Sequence, residues 1–297
     1  MKSGVVILNK EAGMTSHTAV RKLSRIFGAD KAGHTGTLDP MAEGVLPVLI
    51  GRAVKASEFM LTEDKHYAAT LTLGITTDTE DSSGTPLTAT DEIPTEKEVL
   101  SAISGFVGKI NQTPPMYSAL KVGGKKLCDL ARAGITVERS SREVTVFSID
   151  AERIDEKNYS LAVHCSKGTY IRTLCADIGA ALGCGGIMSS LTRTECSGFP
   201  IAAAHTLSEL EAMNEEEREA AIFPTEYIFR ALPRVKLSAF FARLARAGLE
   251  IYLKKIGLTA ECGERFAMYD ESGVFFAVGE VKEFDGELAI KPIRQLE

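Results

Sequence analysis

The chain has 297 residues, 44% of them apolar and 25% charged, with a formal net charge of −6. That length supports one large or two medium domains around a substantial core, and the balance is that of an ordinary water-soluble protein. No run approaches the roughly 18 apolar residues of a membrane span, and Met1-Lys2-Ser3-Gly4 lacks a signal-peptide core, so the expectation is a cytoplasmic protein with no membrane partner.

In chain order, residues 4–8 predict a short buried strand, and residues 9–16 a turn ending in helix-capping residues. Ala19, Val20, Leu23, Ile26 and Phe27 repeat at helical spacing, with Gly28 as a stop. Then comes Gly33-His34-Thr35-Gly36-Thr37-Leu38-Asp39-Pro40-Met41-Ala42-Glu43-Gly44-Val45-Leu46-Pro47. Pro40 biases Asp39 away from helix, and the segment runs directly into residues 45–50, an apolar run of buried-strand length. An Asp-Pro turn is the plain reading. A polar loop anchored on a core strand is also where reactive groups tend to sit.

Residues 52–61 predict a second helix, and residues 66–74 an alternating strand with Tyr67, Ala69, Leu71 and Leu73 on one face. Residues 76–94 are polar and acidic and predict a long surface excursion. Thr95 with Glu98 forms a capping box before another helix. Gln112-Thr113-Pro114-Pro115-Met116-Tyr117-Ser118-Ala119-Leu120-Lys121 is stiffened by its prolines, while Gly123-Gly124 loosens the chain beyond it. From 121 to 142 basic residues outnumber acidic ones, so a phosphate track on an acidic protein is open. Strands are expected at 144–149 and 160–165. Lys167-Gly168-Thr169-Tyr170 then turns into a helix burying Ile171, Leu174, Cys175, Ile178 and Leu182. Arg172 falls in that helix's first turn, where an exposed cation opposes the dipole by ~0.3–1 kcal/mol, so a carboxylate partner would compensate. Residues 209–222 predict an acidic helix, Pro224 and Pro233 bracket a boundary, residues 235–253 are helical or mixed, and residues 263–292 return to short strands. The six cysteines contain no Cys-x-x-Cys pair and read as reduced thiols.

The Gly-His-Thr-Gly-Thr-Leu-Asp-Pro-Met-Ala-Glu-Gly-Val-Leu-Pro stretch resembles the catalytic motif of the TruB-type pseudouridine synthases, which isomerise uridine 55 in the T loop of tRNA. Asn9-Lys10-x-x-Gly13-Met14-Thr15-Ser16, Lys65-His66-Tyr67, Thr77-Asp78-Thr79, the Pro-Pro-x-Tyr-Ser-Ala-Leu-Lys run, Cys165–Arg172 and Leu191–Phe199 are similar to its other motifs. The resemblance implies an α+β pseudouridine synthase domain at 1–229, with a central mixed or antiparallel sheet, flanking helices and a basic thumb-like loop at about 117–143. A small PUA-like β-rich RNA-binding domain is expected at 230–297.

It also implies roles. Asp39 would be the catalytic carboxylate, Tyr67 the aromatic stacked on the target base, and Arg172 the partner of Asp39, holding it ionised by lowering its pKa. Leu191 would wall the uracil pocket, His34 would fill the space left in the RNA loop, and Lys10 would support the catalytic loop beside the substrate. Tyr117, Lys121, Lys125 and Lys126 would meet the T stem-loop. No cofactor and no metal is implied. The implied partner is tRNA, with no obligatory protein partner and a monomeric state. Three positions depart from the pattern: Asn9 stands for the usual Asp, Cys128 for a Tyr, and residues 184–188 lack the usual Ala-His.

Two other readings remain at this point, a guide-RNA-dependent relative and a non-catalytic tRNA-binding or folding module. A hydrolase with an aspartate nucleophile is a third, but no activating base lies near Asp39 in sequence. The chain's start, shortly before the first motif, favours the stand-alone enzyme.

Overall fold

Strands that read as continuous apolar runs are buried on both faces, and two of them lie at the centre of this protein. The computed structural model describes residues 2–60 and 64–297. Strand β1 (Gly4–Lys10) turns Val6 and Leu8 into the main core and Val5 and Ile7 into a second core on the opposite face. Helix α1 (Ser16–Ile26) comes next, capped by the Thr15 hydroxyl accepting from the Thr18 amide, and covers β1 with Ala19, Val20 and Leu23. Strand β2 (Glu43–Ile50) repeats the two-faced pattern, with Leu46, Val48 and Ile50 on one side and Val45 and Leu49 on the other.

Six more strands lie on the main path of the large sheet: β3 (Lys65–Leu73), β4 (Gly108–Gln112), β5 (Arg142–Arg153), β6 (Asn158–Cys165), β7 (Gly186–Cys196) and β8 (Ile222–Phe223). Two short strands lie off that path, Ala32–His34 paired with β2 and Phe199–Pro200 paired with β7. Spatial order is β8-β1-β2-β7-β3-β6-β5-β4, antiparallel throughout except for the parallel pairing of β7 with β2. Helix α2 (Glu96–Ser104), with the expected Thr95/Glu98 capping box, and helix α3 (Ile171–Ala181) pack on the face carrying Leu71, Val146 and Leu161.

A second sheet, β9 (Arg234–Lys236), β10 (Ile251–Tyr252), β11 (Arg265–Tyr269), β12 (Phe275–Phe284) and β13 (Glu287–Gln295), runs in the order β9-β11-β12-β13-β10. Helix α4 (Ala239–Arg246) covers it. Its Ala267, Tyr269 and Val278 close the second core against Val5 and Ile7. The molecule is therefore an α+β fold with a central, mostly antiparallel sheet, flanking helices and a β-rich C-terminal unit.

Several expectations are corrected. The helix at 52–61 is a 3-10 run (Gly51–Ala56) with one α turn (Ser57–Met60), and Leu61 lies outside the described residues. The acidic helix at 209–222 is two short helices, Leu207–Ala212 and Glu215–Ala220, because Asn214 caps the second. The excursion at 76–94 is not all surface. Residues 80–82 exchange backbone hydrogen bonds with Met188 of β7, and Asp81 is buried.

Candidate active site

Asp39 is fixed from three sides. On one, the Ser16 hydroxyl at the start of α1 accepts from the Leu38 amide at 2.8 Å and donates to the Leu38 carbonyl at 2.9 Å. On the next, the Lys10 ammonium, 1% exposed, donates to the carbonyls of Ala42 at 2.7 Å and Glu11 at 2.9 Å, with Pro40 at 3.4 Å. Lys10 thus holds the loop through its carbonyls and is not among the residues lining the cleft. The third side is Arg193 of β7, also 1% exposed, whose Nε donates to Val45 at 2.7 Å and Nη2 to Gly36 at 3.0 Å, clasping the loop at both ends. Gly44 permits this. Its φ is +99°, and a Cβ there would fall 2.3 Å from the Arg193 carbonyl oxygen.

Facing Asp39 is Arg172. The start of α3 is set by Gln112 of β4, whose side-chain amide donates to the Tyr170 carbonyl at 3.0 Å and accepts from the Tyr170 amide at 2.9 Å. Arg172, 4% exposed, places Nε 2.9 Å from Asp39 Oδ2, an ion pair whose N–H is not aligned as a regular hydrogen bond. The rest of the guanidinium is tied down as well. Nη1 donates to the Thr79 carbonyl at 3.0 Å and lies 3.6 Å from Asp81 Oδ2, while Nη2 donates to the Tyr117 carbonyl at 2.8 Å.

This environment reverses one sequence expectation. The Asp39 pKa lies above its ordinary 3.8, because burial raises it most; Arg172 and Lys10 pull it down, and Asp81 pushes it further up. Sequence reasoning weighed the cation and missed both the desolvation and the second carboxylate.

Asp39 and Arg172 open onto a cleft of about 320 Å³, lined also by Tyr67, Leu191, Lys65, Ser118, Arg142 and Tyr170 among others. Tyr67 of β3 pairs in register with Arg193, two residues beyond Leu191 on the same face of β7. The Tyr67 phenol is 8% exposed, and its pKa is pushed up to about 12, chiefly by burial, with Arg193 opposing. It is a neutral phenol near pH 7. His34 and Tyr117 are half-buried and stand outside the cleft wall, although the Tyr117 carbonyl holds Arg172. The His34 pKa is lowered, first by burial and then by Arg193. Lys121, Lys125 and Lys126 project from an exposed hairpin whose Gly123 and Gly124, at φ +58° and +81°, make its turn. The hairpin continues directly from the cleft residues Ser118, Ala119 and Leu120.

The family models of the TruB pseudouridylate synthase N-terminal domain and of the tRNA pseudouridylate synthase B C-terminal domain match residues 24–171 and 172–230. The chain belongs to the TruB family of pseudouridylate synthases. It is an isomerase. Relatives named tRNA pseudouridine synthase B include one from Aromatoleum aromaticum, 42% identical over 98% of this chain and 92% of its own length. Another, from Alkaliphilus oremlandii, is 44% identical over 84% and 83%. Among solved structures, a chain of a Cbf5-Nop10-Gar1 complex superposes with a TM-score of 0.77 at 27% identity, covering 99% of this chain and 85% of that one. No described helix of this pseudouridine synthase is long and apolar enough to cross a membrane.

Proposed function

We propose that this enzyme converts uridine to pseudouridine in tRNA, at position 55 of the T loop, as a monomer without guide RNA or protein partner. The observation that carries the reading is the ion pair of buried Arg172 with half-buried Asp39 in a cleft lined also by Tyr67 and Leu191. The 42% identity to a relative named tRNA pseudouridine synthase B, against 27% to a chain of the Cbf5-Nop10-Gar1 complex, supports tRNA over a guided substrate. The choice of position 55 rests on the motif resemblance.

In the reaction the bond from uracil N1 to ribose C1′ breaks, the base turns, and C5 bonds to C1′. The C5 proton leaves and N1 ends protonated, so atoms and electrons balance without an oxidant or reductant. A base inside a structured loop is out of reach of a cleft this size, so it is flipped out and held against Tyr67 and Leu191. The Asp39 carboxylate then acts on the ribose side, as nucleophile, as base or by stabilising positive charge. Arg172 fixes its orientation. Tyr67, a neutral phenol, serves as a stacking face and not as a resting base. The exposed lysines of the 121–126 hairpin meet the stem phosphates.

Incubating the purified protein alone with an unmodified tRNA transcript and mapping pseudouridine tests this. Product at the T-loop uridine supports the proposal. Product that requires an added RNA or protein would favour the guided reading, and no product under either condition would favour a binding module.

A further inference from the structure

Glu80 combines a strained backbone with a side chain directed at the residue beside Arg172. Its φ is +63°, a left-handed conformation that a non-glycine residue keeps only when its surroundings enforce it, and such residues gather at functional sites. Its Oε2 accepts a 2.7 Å hydrogen bond from the Thr173 hydroxyl on the first turn of α3. The neighbours of Glu80 on either side are two of the groups that hold the Arg172 guanidinium, the Thr79 carbonyl and the Asp81 carboxylate.

We infer that Glu80 is a positioning residue for isomerisation: its bond to Thr173 clamps the 79–81 turn onto helix α3, so that Thr79 and Asp81 stay in register with Arg172, and Arg172 with Asp39. The backbone bonds of residues 80–82 to Met188 tie the turn to β7, and beside the contacts of Arg172 itself with Thr79 and Asp81, Glu80 adds a side-chain bond from the turn to the helix that carries Arg172. Thr173 is 4% exposed, so its hydroxyl is held against the carboxylate out of bulk solvent. Asp81 is braced within the turn, accepting from Thr79 Oγ1 at 2.7 Å and from the Ser83 amide at 3.0 Å, whereas the Glu80 bond to Thr173 reaches α3 at a residue other than Arg172.

The inference rests on reading Asp39 and Arg172 as the reacting pair, and its test separates the two claims. Four variants are compared with the wild type: Glu80→Gly, Glu80→Gln, Thr173→Val and the double variant Glu80→Gly with Thr173→Val. Glycine suits the left-handed backbone, so Glu80→Gly removes the clamp without adding strain, and Thr173→Val removes it with the turn untouched. Single-turnover pseudouridine formation is expected to fall about tenfold or more in both, with tRNA Kd within about twofold, which is a barrier change of ~1.4 kcal/mol. The double variant is expected to be no worse than the poorer single one, as for two halves of one contact. Glu80→Gln keeps the acceptor and is expected to retain most of the rate.

The second readout is the Asp39 carboxyl titration followed by carbon NMR, which does not depend on activity. Deleting a negative charge by itself lowers a nearby carboxyl pKa, whereas loosening Arg172 raises it, so the clamp predicts a rise in Glu80→Gly and in Thr173→Val. An Asp39 pKa that falls or stays put in both variants overturns the clamp, as does a wild-type rate in Glu80→Gly. A wild type inactive on tRNA would instead sink the functional reading, while the titration would still decide the clamp.

Discussion

Arg172 meets Asp39 at 2.9 Å while the same guanidinium donates to the carbonyls of Thr79 and Tyr117, so one side chain joins the catalytic loop, the acidic turn and the root of the basic hairpin. A lysine keeps the charge but not the planar fork, and it cannot reach these groups at once. Arg172→Lys is therefore expected to lose at least tenfold in single-turnover rate, ~1.4 kcal/mol. Arg172→Ala leaves Asp81 and Asp39 uncompensated. Breaking a fully buried pair typically costs ~3–5 kcal/mol; Asp81, 5% exposed, meets that condition and Asp39, 32% exposed, does not, so the loss in urea stability is expected to come mainly through Asp81. Full activity in Arg172→Ala would remove the pair from the mechanism.

Tyr67 separates stacking from proton transfer. Phenylalanine retains the ring, leucine does not, and a stacked base contributes ~1–3 kcal/mol. With its phenol pushed up to about 12, Tyr67 is expected to act by its face. Tyr67→Phe should keep much of the rate and Tyr67→Leu lose most of it. Equal, severe loss in both would assign the hydroxyl a part in the chemistry.

Neutralising Lys121, Lys125 and Lys126 together should weaken tRNA binding and flatten its dependence on salt, by roughly 0.7 to 0.9 in slope per lost phosphate contact. Turnover at saturating tRNA should change less. An unchanged slope in a binding titration across salt concentrations would contradict the phosphate role of this hairpin.

Asp177 on α3 supplies a pH signature. Burial, and then the Glu80 charge, push its pKa up to about 6 from an ordinary 3.8. A carboxyl with a raised folded pKa favours the fold when protonated: that contribution is complete below about 3.8 and is lost as pH rises through about 6. Asp177→Asn should therefore be more stable than wild type at pH 8, with the difference closing as pH falls through 6 towards 4. Urea denaturation across that range checks it, and a difference independent of pH would contradict it.

Much of this site was legible because period and motif act locally. The alternation at Tyr67, Ala69 and Leu71 gave a strand face, and the apolar spacing after Arg172 gave a helix with that residue in its first turn. The features that stayed hidden depend on distant pairing. Asp81 sits in a polar, acidic stretch that reads as surface until Arg172 and Met188 are brought beside it. Gln112 has no local signal for holding the Tyr170 backbone. Arg193 did carry one: it lies two residues after Leu191 in a strand and so shares its face, but a buried arginine is against the odds for its type. The raised Asp39 pKa was missed because sequence shows a partner's charge more readily than the loss of water around it.

The central claim is that the Asp39 carboxylate performs the isomerisation in a site built to hold it. Asp39→Asn keeps the shape and removes the charge, while phosphate and stacking contacts continue to supply affinity. Single-turnover assay of a clean Asp39→Asn preparation on an unmodified tRNA transcript, with binding measured in parallel, tests it most directly. The account predicts no pseudouridine and a Kd within about tenfold of wild type, ~1.4 kcal/mol. Pseudouridine formed by that variant at a measurable fraction of the wild-type rate would contradict it.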